Sequence, residues 1–301
     1  MPAVPPPDLV SVVIATYNMG RYLAQAVQSV LSQTYAHVEV QIVDDGSTDD
    51  TAQVVRRWEG DERVQVHRQP NGGQAQARNR GIALSKGRYV AFLDADDEWL
   101  PQKLSRQIPL FATPEVGVVY SDYECMDGEG RRLPPKPPTR MYRGRVSAAL
   151  LIDNFVSFQT AVARRECLER HGGFDESVRM GDDYDLWLRL SAHYEFDFVP
   201  EATVRYRVWS GQMSKNYRRR YESAIRTMQR FLEHNPGLVS ADQIRTAWAH
   251  TYTGRGNNTL WQEHRRGAAL QDYLRALTFQ PDYWPAWRAI LRGLITARAP
   301  R

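Results

Sequence analysis

The chain has 301 residues, 42% of them hydrophobic and 25% charged, which is typical of a soluble globular protein with two domains or one domain and an appendage. Its two cysteines, Cys125 and Cys167, have neither metal-ligand nor redox spacing and supply no disulfide framework, which favours a reducing, cytoplasmic setting. Residues 1–8 are rich in proline and lack the regions of a signal peptide, and no stretch reaches the roughly 18 apolar residues that span a bilayer. We therefore expect a disordered N-terminus, no secretion by a signal peptide and no membrane-spanning segment.

The net charge of +4 is unevenly distributed. Residues 213–301 contain 15 Lys and Arg against 6 Asp and Glu, whereas the rest of the chain contains 24 against 29. An acidic domain that binds a phosphate ligand usually recruits a metal ion, and a basic appendage can approach an anionic surface. A solvated helical face explains the basic part equally well.

The first part of the chain repeats one order of elements: an apolar strand, a polar loop and an amphipathic helix. This order predicts a doubly wound, mostly parallel α/β sheet. A helix beginning near Trp99 is also expected, and the helix over 52–58 should be capped by Ser47 or Thr48. The predicted strands are 9–16, 38–43, 64–67, 89–93, 116–120 and 202–206, and the helices are 22–31, 52–58 and 74–85.

The residue pattern changes after this region. The Pro- and Arg-rich segment 128–140 predicts a loop without regular structure, either a mobile loop beside the site or a simple connection. Beyond residue 212 the pattern predicts only helices, and 268–287 is similar to part of a tetratricopeptide unit. We therefore expect one α/β domain over 9–212 and a helical extension over 213–301. The predicted C-terminal helices are 221–233, 242–252, 268–279 and 286–295.

Polar and acidic clusters follow several of the predicted strands. The segments 16–18, 44–47 and 94–97 each come directly after a strand, and Asp182 and Asp183 begin a later helix. The carboxyl ends of parallel strands meet at one edge of a sheet, so these clusters should line one crevice. The carboxylates of 94–97 suit Mg²⁺ or Mn²⁺ bridging a diphosphate, although a turn that caps the next helix also accounts for them.

On these motifs the chain resembles the family 2 glycosyltransferases of the GT-A fold. The resemblance spans residues 9 to about 212 and does not cover the C-terminal helices. It implies a Rossmann-like fold, an inverting reaction and a nucleotide diphosphate sugar as donor. The matching segments are 11–18, 29–34, 43–49, 77–81, 92–97, 172–176 and 181–189.

The resemblance also implies a nucleotide-binding surface. Tyr17 would lie against the base, and Asp45 would accept a hydrogen bond from the uracil imide. Asp44 would hold the ribose or orient its loop. Arg78 would meet the base or the diphosphate. The remaining residues of this expected surface are Ala15, Thr16, Asn18, Asp94 and Ala95.

The chemistry implied by the resemblance is assigned to the later motifs. Asp96 would ligate Mn²⁺ or Mg²⁺, with Asp94 beside it, and the cation would act as a Lewis acid on the departing diphosphate. Asp183 would be the general base, with Asp182 as the alternative. The residues expected to contact the acceptor or the donor sugar are Gly173, Phe174, Trp187 and Arg207.

One position departs from the family pattern. Many relatives carry a histidine after the strand at 202–206, in a Tyr-Arg-x-His arrangement, where this chain has Trp209. A tryptophan cannot ligate a metal, so metal affinity should be weak. Either Arg207 or Lys215 would supply positive charge instead, or the C-terminal segment would cover the site differently.

The sequence therefore predicts an inverting, metal-assisted transferase that uses a UDP-sugar and acts on a glycan or a lipid-linked saccharide. We expect it in the cytoplasm, peripherally at the inner membrane face through its basic helices, without a nucleic-acid partner. The alternative is a degenerate, nucleotide-sugar-binding scaffold that acts through its helical tail. A nucleotidyltransferase or a dinucleotide-dependent oxidoreductase lacks support, because neither a Gly-x-Gly-x-x-Gly motif nor a phosphate-binding Gly-Lys-Ser/Thr loop occurs.

Overall fold

The structure is a computed structural model and describes residues 9–137, 139–212 and 216–296. The expectations for residues 1–8 and for Lys215 lie outside these residues. Two units are distinguished, one of Met1–Val146 with Phe155–Gln212 and one of Ser147–Asn154 with Met213–Arg301. The short segment Ser147–Asn154 thus belongs with the C-terminal helices, which differs from the division expected at residue 212.

The strands found in the described part of the first unit form one mixed sheet in the order β3-β2-β1-β4-β7-β6-β8-β5. β1, β2, β3 and β4 are parallel, β6 and β8 are parallel, and β7 and β5 run antiparallel to their neighbours. The predicted α/β fold class is confirmed. The strands are β1 (Val10–Thr16), β2 (Val38–Asp44), β3 (Val64–Arg68), β4 (Tyr89–Phe92), β5 (Glu98–Trp99), β6 (Val116–Met126), β7 (Val162–Arg164) and β8 (Glu195–Arg207).

The strand order creates a switch point beside β1. From β1 the chain continues outward to β2 and β3, and it then returns to place β4 on the other side of β1. β1, β2 and β4 are almost completely buried and rich in β-branched or aromatic residues, as strands covered on both faces should be. Loops at the carboxyl ends of β1 and β4 therefore flank a crevice, which is where open α/β sheets bind ligands.

Helices cover this sheet, and α1 illustrates why they form. Tyr22, Leu23, Ala26, Val27 and Val30 fall at helical spacing and are all buried. All of them except Tyr22 belong to the core cluster that includes the strands. The helices of the first unit are α1 (Gly20–Leu31), α2 (Thr51–Val54), α3 (Gln74–Leu84), α4 (Lys103–Gln107), α6 (Arg165–His171) and α7 (Asp182–Ser191).

Two local predictions are wrong. Neither Ser47 nor Thr48 caps α2, because the Asp49 side chain accepts a hydrogen bond from the Thr51 amide and the Ser47 hydroxyl is bonded to Asn18. The helix expected near Trp99 begins only at Lys103, since residues 98–99 instead pair with β8 as β5. The bond between Ser47 and Asn18 and the pairing of β5 with β8 are contacts distant in sequence, to which local pattern is insensitive.

The Pro- and Arg-rich segment is irregular over its described residues, as predicted, apart from one bridge between Met126 and Arg132. Its first turn is closed by Asp127, whose carboxylate accepts hydrogen bonds from the Glu129 and Arg131 amides. Pro138 lies outside the described residues.

The regular elements in the described residues of the second unit are all helices, as predicted for the chain beyond residue 212. The helix at Ser147–Ile152 was not predicted. The similarity to a tetratricopeptide unit stays a prediction. Leu260, Ala269, Tyr273 and Ala289 form its core cluster. None of the helices in the described ranges has the length and apolar composition needed to cross a membrane. The helices are α5 (Ser147–Ile152), α8 (Tyr217–His234), α9 (Ala241–Trp261), α10 (Arg266–Phe279) and α11 (Trp284–Thr296).

Candidate functional site

Asp45, just after β2, holds the loop that leads into α3. One carboxylate oxygen accepts hydrogen bonds from Gln69 Nε2 at 2.8 Å and the Gly72 amide at 2.9 Å, and the other accepts one from the Gly73 amide at 2.8 Å. Gly73 has φ +95°, a conformation that favours glycine. Asp45 is therefore committed to protein donors here, and its contact with a nucleobase stays a prediction.

Asp44 and Asn18 join the loops that follow β2 and β1. Asp44 Oδ1 accepts a hydrogen bond from the Ser47 amide at 2.8 Å, which agrees with the loop-orienting alternative. Asn18 Oδ1 accepts one from the Thr48 amide at 2.7 Å. Tyr17, between these anchored residues and the end of β1, is 47% exposed. Its ring is thus accessible to a ligand at the edge of the sheet, next to the largely buried Ala15 and Thr16.

Arg78 on α3 connects two acidic motifs that lie far apart in the chain. Its guanidinium donates to Asp94 Oδ1 at 2.9 Å and to Asp182 Oδ2 at 2.8 Å. The Phe158 ring centre is 3.6 Å and the Phe174 ring centre 5.4 Å from the guanidinium carbon. Burial alone would lower the pKa of Arg78, but Asp182, Asp94 and Asp183 more than offset it, so the pKa is raised and the side chain stays charged.

Asp182 and Asp183 have different surroundings at the start of α7. Asp182 is 2% exposed, and its second oxygen accepts a hydrogen bond from Gln74 Nε2 at 2.7 Å. Both of its oxygens are therefore used by Gln74 and Arg78. Asp183 is partly exposed, and its charge acts on the same Arg78.

Three carboxylates follow β4, and burial raises the pKa of each. The pKa of Asp94 is raised to about 6, mainly by burial and further by Asp96 and Asp182, against the opposing effect of Arg78. Burial also raises the pKa of Asp97 well above its usual value, and repulsion from Asp96 and Asp94 adds to this. Asp97 Oδ2 is buried without a hydrogen-bond partner among the described residues. A site that concentrates negative charge in this way is stabilised by a cation.

Arg207 does not face a sugar, which corrects the expectation. It is 1% exposed, and its guanidinium is used by the Asp96 carbonyl at 2.6 Å and by the side chains of Glu98 and Gln25, each at 2.9 Å. Its backbone amide donates to Asp97 Oδ1 at 2.7 Å. Arg207 thus holds the loop after β4 in place through hydrogen bonds instead of supplying charge to a ligand.

The acceptor-side expectation also needs correction at Trp187. This side chain is fully buried on α7 and packs near Phe92, so a sugar cannot reach it. Phe174 is 3% exposed and lies beside Arg78 rather than at the surface. Gly173 is fixed through its carbonyl, which accepts a hydrogen bond from Arg189 at 2.6 Å. Trp187 and Phe174 thus belong to the packing around the site, and Gly173 belongs to its hydrogen-bonded backbone.

One contact was absent from the expectations. Trp209 Nε1 donates a hydrogen bond of 2.8 Å to Asp96 Oδ2. This bond opposes the effect of burial, which raises the pKa of Asp96. Trp209 and Asp96 are 113 positions apart, so no local pattern predicts their contact. The one signal in the sequence was a tryptophan at a position where many relatives have a histidine.

The residues present fit a divalent cation that would be held mainly by the phosphates of a bound substrate and only in part by protein side chains. No group of three or more His, Cys, Asp or Glu side chains able to hold a metal occurs among the described residues. Mg²⁺, however, is usually held by one or two carboxylates, substrate phosphates and water. The partly exposed carboxylates of Asp94 and Asp96, whose charges repel each other, supply such a pair.

The chain was compared with protein families and curated relatives. The model of glycosyl transferase family 2 matches residues 11–172, more than half of the chain. The chain is 41% identical over 213 residues to the UDP-Glc:alpha-D-GlcNAc-diphosphoundecaprenol beta-1,3-glucosyltransferase WfaP of Escherichia coli, covering 69% of this chain and 81% of that protein. It is 31% identical over 209 residues to an uncharacterized glycosyltransferase of Rickettsia prowazekii, covering 68% of this chain but 65%, under two thirds, of that relative.

Solved structures share the fold at low sequence identity. TarS 1-349 of S. aureus aligns with a TM-score of 0.68 at 17% identity, covering 97% of this chain and 93% of that one. The mannosyltransferase PcManGT of Pyrobaculum calidifontis, in complex with GDP-Man and Mn²⁺, aligns with a TM-score of 0.65 at 21% identity, covering 98% and 83%. At these identities the likeness establishes the fold.

Proposed function

Because the chain belongs to glycosyl transferase family 2, we propose that it transfers a sugar from a nucleotide diphosphate sugar, most simply a UDP-sugar, to a hydroxyl group with inversion. The observation that carries this proposal is the guanidinium of Arg78, which is bonded to both Asp94 and Asp182. It brings the motif expected to bind the donor next to the motif expected to hold the base.

The donor would lie along the carboxyl edge of β1, β2 and β4. The exposed ring of Tyr17 offers a stacking surface for a base. Asp94 and Asp96 would hold Mn²⁺ or Mg²⁺, and the cation, when bound, supplies Lewis-acid stabilisation of the diphosphate. The raised pKa of both carboxyls supports this assignment, because a cation offsets the burial of their charge.

The exposure of the two aspartates on α7 supports Asp183 as the general base. A base must lie within reach of the acceptor hydroxyl. Asp182 is buried and both its oxygens are bonded, whereas Asp183 is partly exposed. In the proposed single displacement, the acceptor oxygen bonds to the anomeric carbon, the bond from that carbon to the diphosphate breaks, and the acceptor proton passes to Asp183.

The proposed acceptor is a lipid-linked saccharide or a growing glycan. The name of the E. coli relative describes UDP-Glc as donor and a diphosphoundecaprenol-linked sugar as acceptor, which supports this class. The outer face of α11 also supports contact with a membrane surface. Trp284, Trp287 and Leu291 are exposed there with Arg288 and Arg292, and aromatic and basic side chains together suit an anionic lipid interface.

A thermal-shift panel tests the donor assignment without an acceptor, because a ligand that binds the native state raises Tm. UDP, GDP, dTDP and CMP, with their common sugars, would each be added with and without Mn²⁺. We expect UDP and UDP-sugars to raise Tm, and more so with Mn²⁺. A shift with another nucleotide family would change the donor, and no shift with any nucleotide would contradict the proposed donor site.

A further inference from the structure

Trp209, two residues beyond β8, contacts the carboxylate assigned to the cation. Its indole Nε1 is 2.8 Å from Asp96 Oδ2 and donates a hydrogen bond to it. An indole N–H is a donor only and offers no lone pair to a metal. Trp209 therefore cannot take over the role of a histidine ligand, but it touches the residue that would share that role.

The indole is held in place by its neighbours. A Cβ on Gly211 would lie 2.2 Å from Trp209 Cζ3, so the ring packs directly on this backbone and only glycine leaves room for it. The Tyr22 ring centre is 5.8 Å from that of Trp209. The Gln212 side chain accepts a hydrogen bond from the Trp209 amide at 3.3 Å and donates one to the Arg207 carbonyl. These contacts fix the direction of the N–H.

Asp96 is thereby held at two points. Arg207 Nε binds its carbonyl at 2.6 Å, and Trp209 binds its carboxylate. A carboxylate has about four lone-pair positions, so one hydrogen bond leaves the others for a cation. Hydrogen bonds of this kind orient carboxylate ligands, and their loss commonly weakens metal binding by about 10–100-fold.

We infer that Trp209 is a positioning residue for the cation: its N–H fixes one oxygen of Asp96 so that the carboxylate is presented to the metal ion that accompanies the donor diphosphate. The chain would thus replace a direct metal ligand with a hydrogen bond to a metal ligand. With one protein ligand fewer, the cation relies more on the diphosphate, and it should bind together with the nucleotide. This inference rests on the proposed function, which supplies the diphosphate.

The test is the Trp209→Phe variant, which keeps an aromatic ring and removes the N–H. Calorimetry would measure UDP binding in Mn²⁺ and in EDTA, and electron paramagnetic resonance would count free Mn²⁺ in the presence of UDP. We expect UDP affinity in Mn²⁺ to fall by about 10–100-fold and UDP affinity in EDTA to stay unchanged. Trp58→Phe, the same change at a partly buried indole outside the site, should alter neither.

Each other outcome is decisive. Unchanged or tighter Mn²⁺-dependent binding by Trp209→Phe overturns the inference, and tighter binding would mean that the indole competes with the cation. If that variant does not fold, Gly211→Ala displaces the same ring while keeping Trp209, and it should weaken Mn²⁺-dependent binding in the same way. If the unmodified protein binds UDP and the variants bind it equally well in Mn²⁺, the inference about Trp209 is overturned and the proposed function stands. Absence of nucleotide binding by the unmodified protein in both buffers overturns both.

Discussion

The guanidinium carbon of Arg78 lies 3.6 Å from the centre of the Phe158 ring. The negatively polarised face of the ring therefore stabilises the guanidinium charge from one side, while Asp94 and Asp182 accept hydrogen bonds from its N–H groups. A lysine, with a single point charge, cannot form this fork, so arginine is the residue type that the geometry requires. The stability and the chemistry of the site thus depend on one side chain.

Replacing Arg78 by methionine should destabilise the protein. The change leaves Asp182 buried without its cation, and breaking a buried pair in this way costs about 3–5 kcal/mol in the free energy of unfolding. Urea denaturation would measure the loss. Arg80→Met, an exposed position on the same helix, should change this free energy by less than about 0.5 kcal/mol. Equal effects of both variants would contradict the buried network.

The stability of the metal-free protein should depend on the protonation of Asp94. Burial raises the pKa of its carboxyl from 3.8 to about 6, so folding takes up a proton between these pH values. Stability is consequently highest below pH 4 with respect to this group, and it is lost as the pH rises through about 6. Asp94→Asn removes the titration and should lose less stability over this range, as measured by urea denaturation in a chelating buffer. Parallel curves would show that Asp94 titrates normally.

The two aspartates of α7 should respond differently to amidation. Asp183→Asn removes the proposed base and should lower kcat by about 10²–10⁴-fold with nearly unchanged donor affinity. Asp182→Asn disturbs the bonds to Gln74 and Arg78, and it should lower Tm and donor affinity as well. Sugar transfer, calorimetry and thermal unfolding would be measured on both. An inactive Asp182→Asn with unchanged Tm, beside an active Asp183→Asn, would reverse the assignment.

Membrane contact through α11 should depend on its arginines. Each basic side chain near an anionic surface contributes about 1 kcal/mol, so the double change Arg288→Gln and Arg292→Gln should weaken binding to anionic vesicles by about 30-fold. Co-sedimentation at low salt would measure it. The double change Arg56→Gln and Arg57→Gln, exposed in the first unit, has the same charge and should have no such effect. Vesicle binding that is absent in the unmodified protein would rule out this contact.

The order of the elements is readable from the sequence because it depends on local pattern. Strands such as β1 and β2 have continuous apolar runs, and each is followed by polar residues where the sheet ends. Helices such as α1 show their buried face directly as spacing. The acidic clusters also follow the strands, so their common edge was predictable once the sheet was known.

The partners of the individual side chains were not predictable in the same way. Arg207 was expected to contact a ligand, but the acceptors of its guanidinium include Gln25 and Glu98, which are far from it in sequence. Asp182 and Asp183 are adjacent in sequence, yet Asp182 is buried and Asp183 is partly exposed. Such orientations are set by tertiary packing and have no local signature.

The short helix α5 (Ser147–Ile152) belongs to the second unit although the chain on both sides of it belongs to the first. Leu150 and Leu151 are buried. A truncation after residue 212 would therefore keep the apolar helix α5 but remove the other helices of its unit. Such a fragment would expose Leu150 and Leu151 and should aggregate. Because two separate stretches of the chain form the second unit, recombination that exchanges C-terminal segments between relatives would also have to exchange α5.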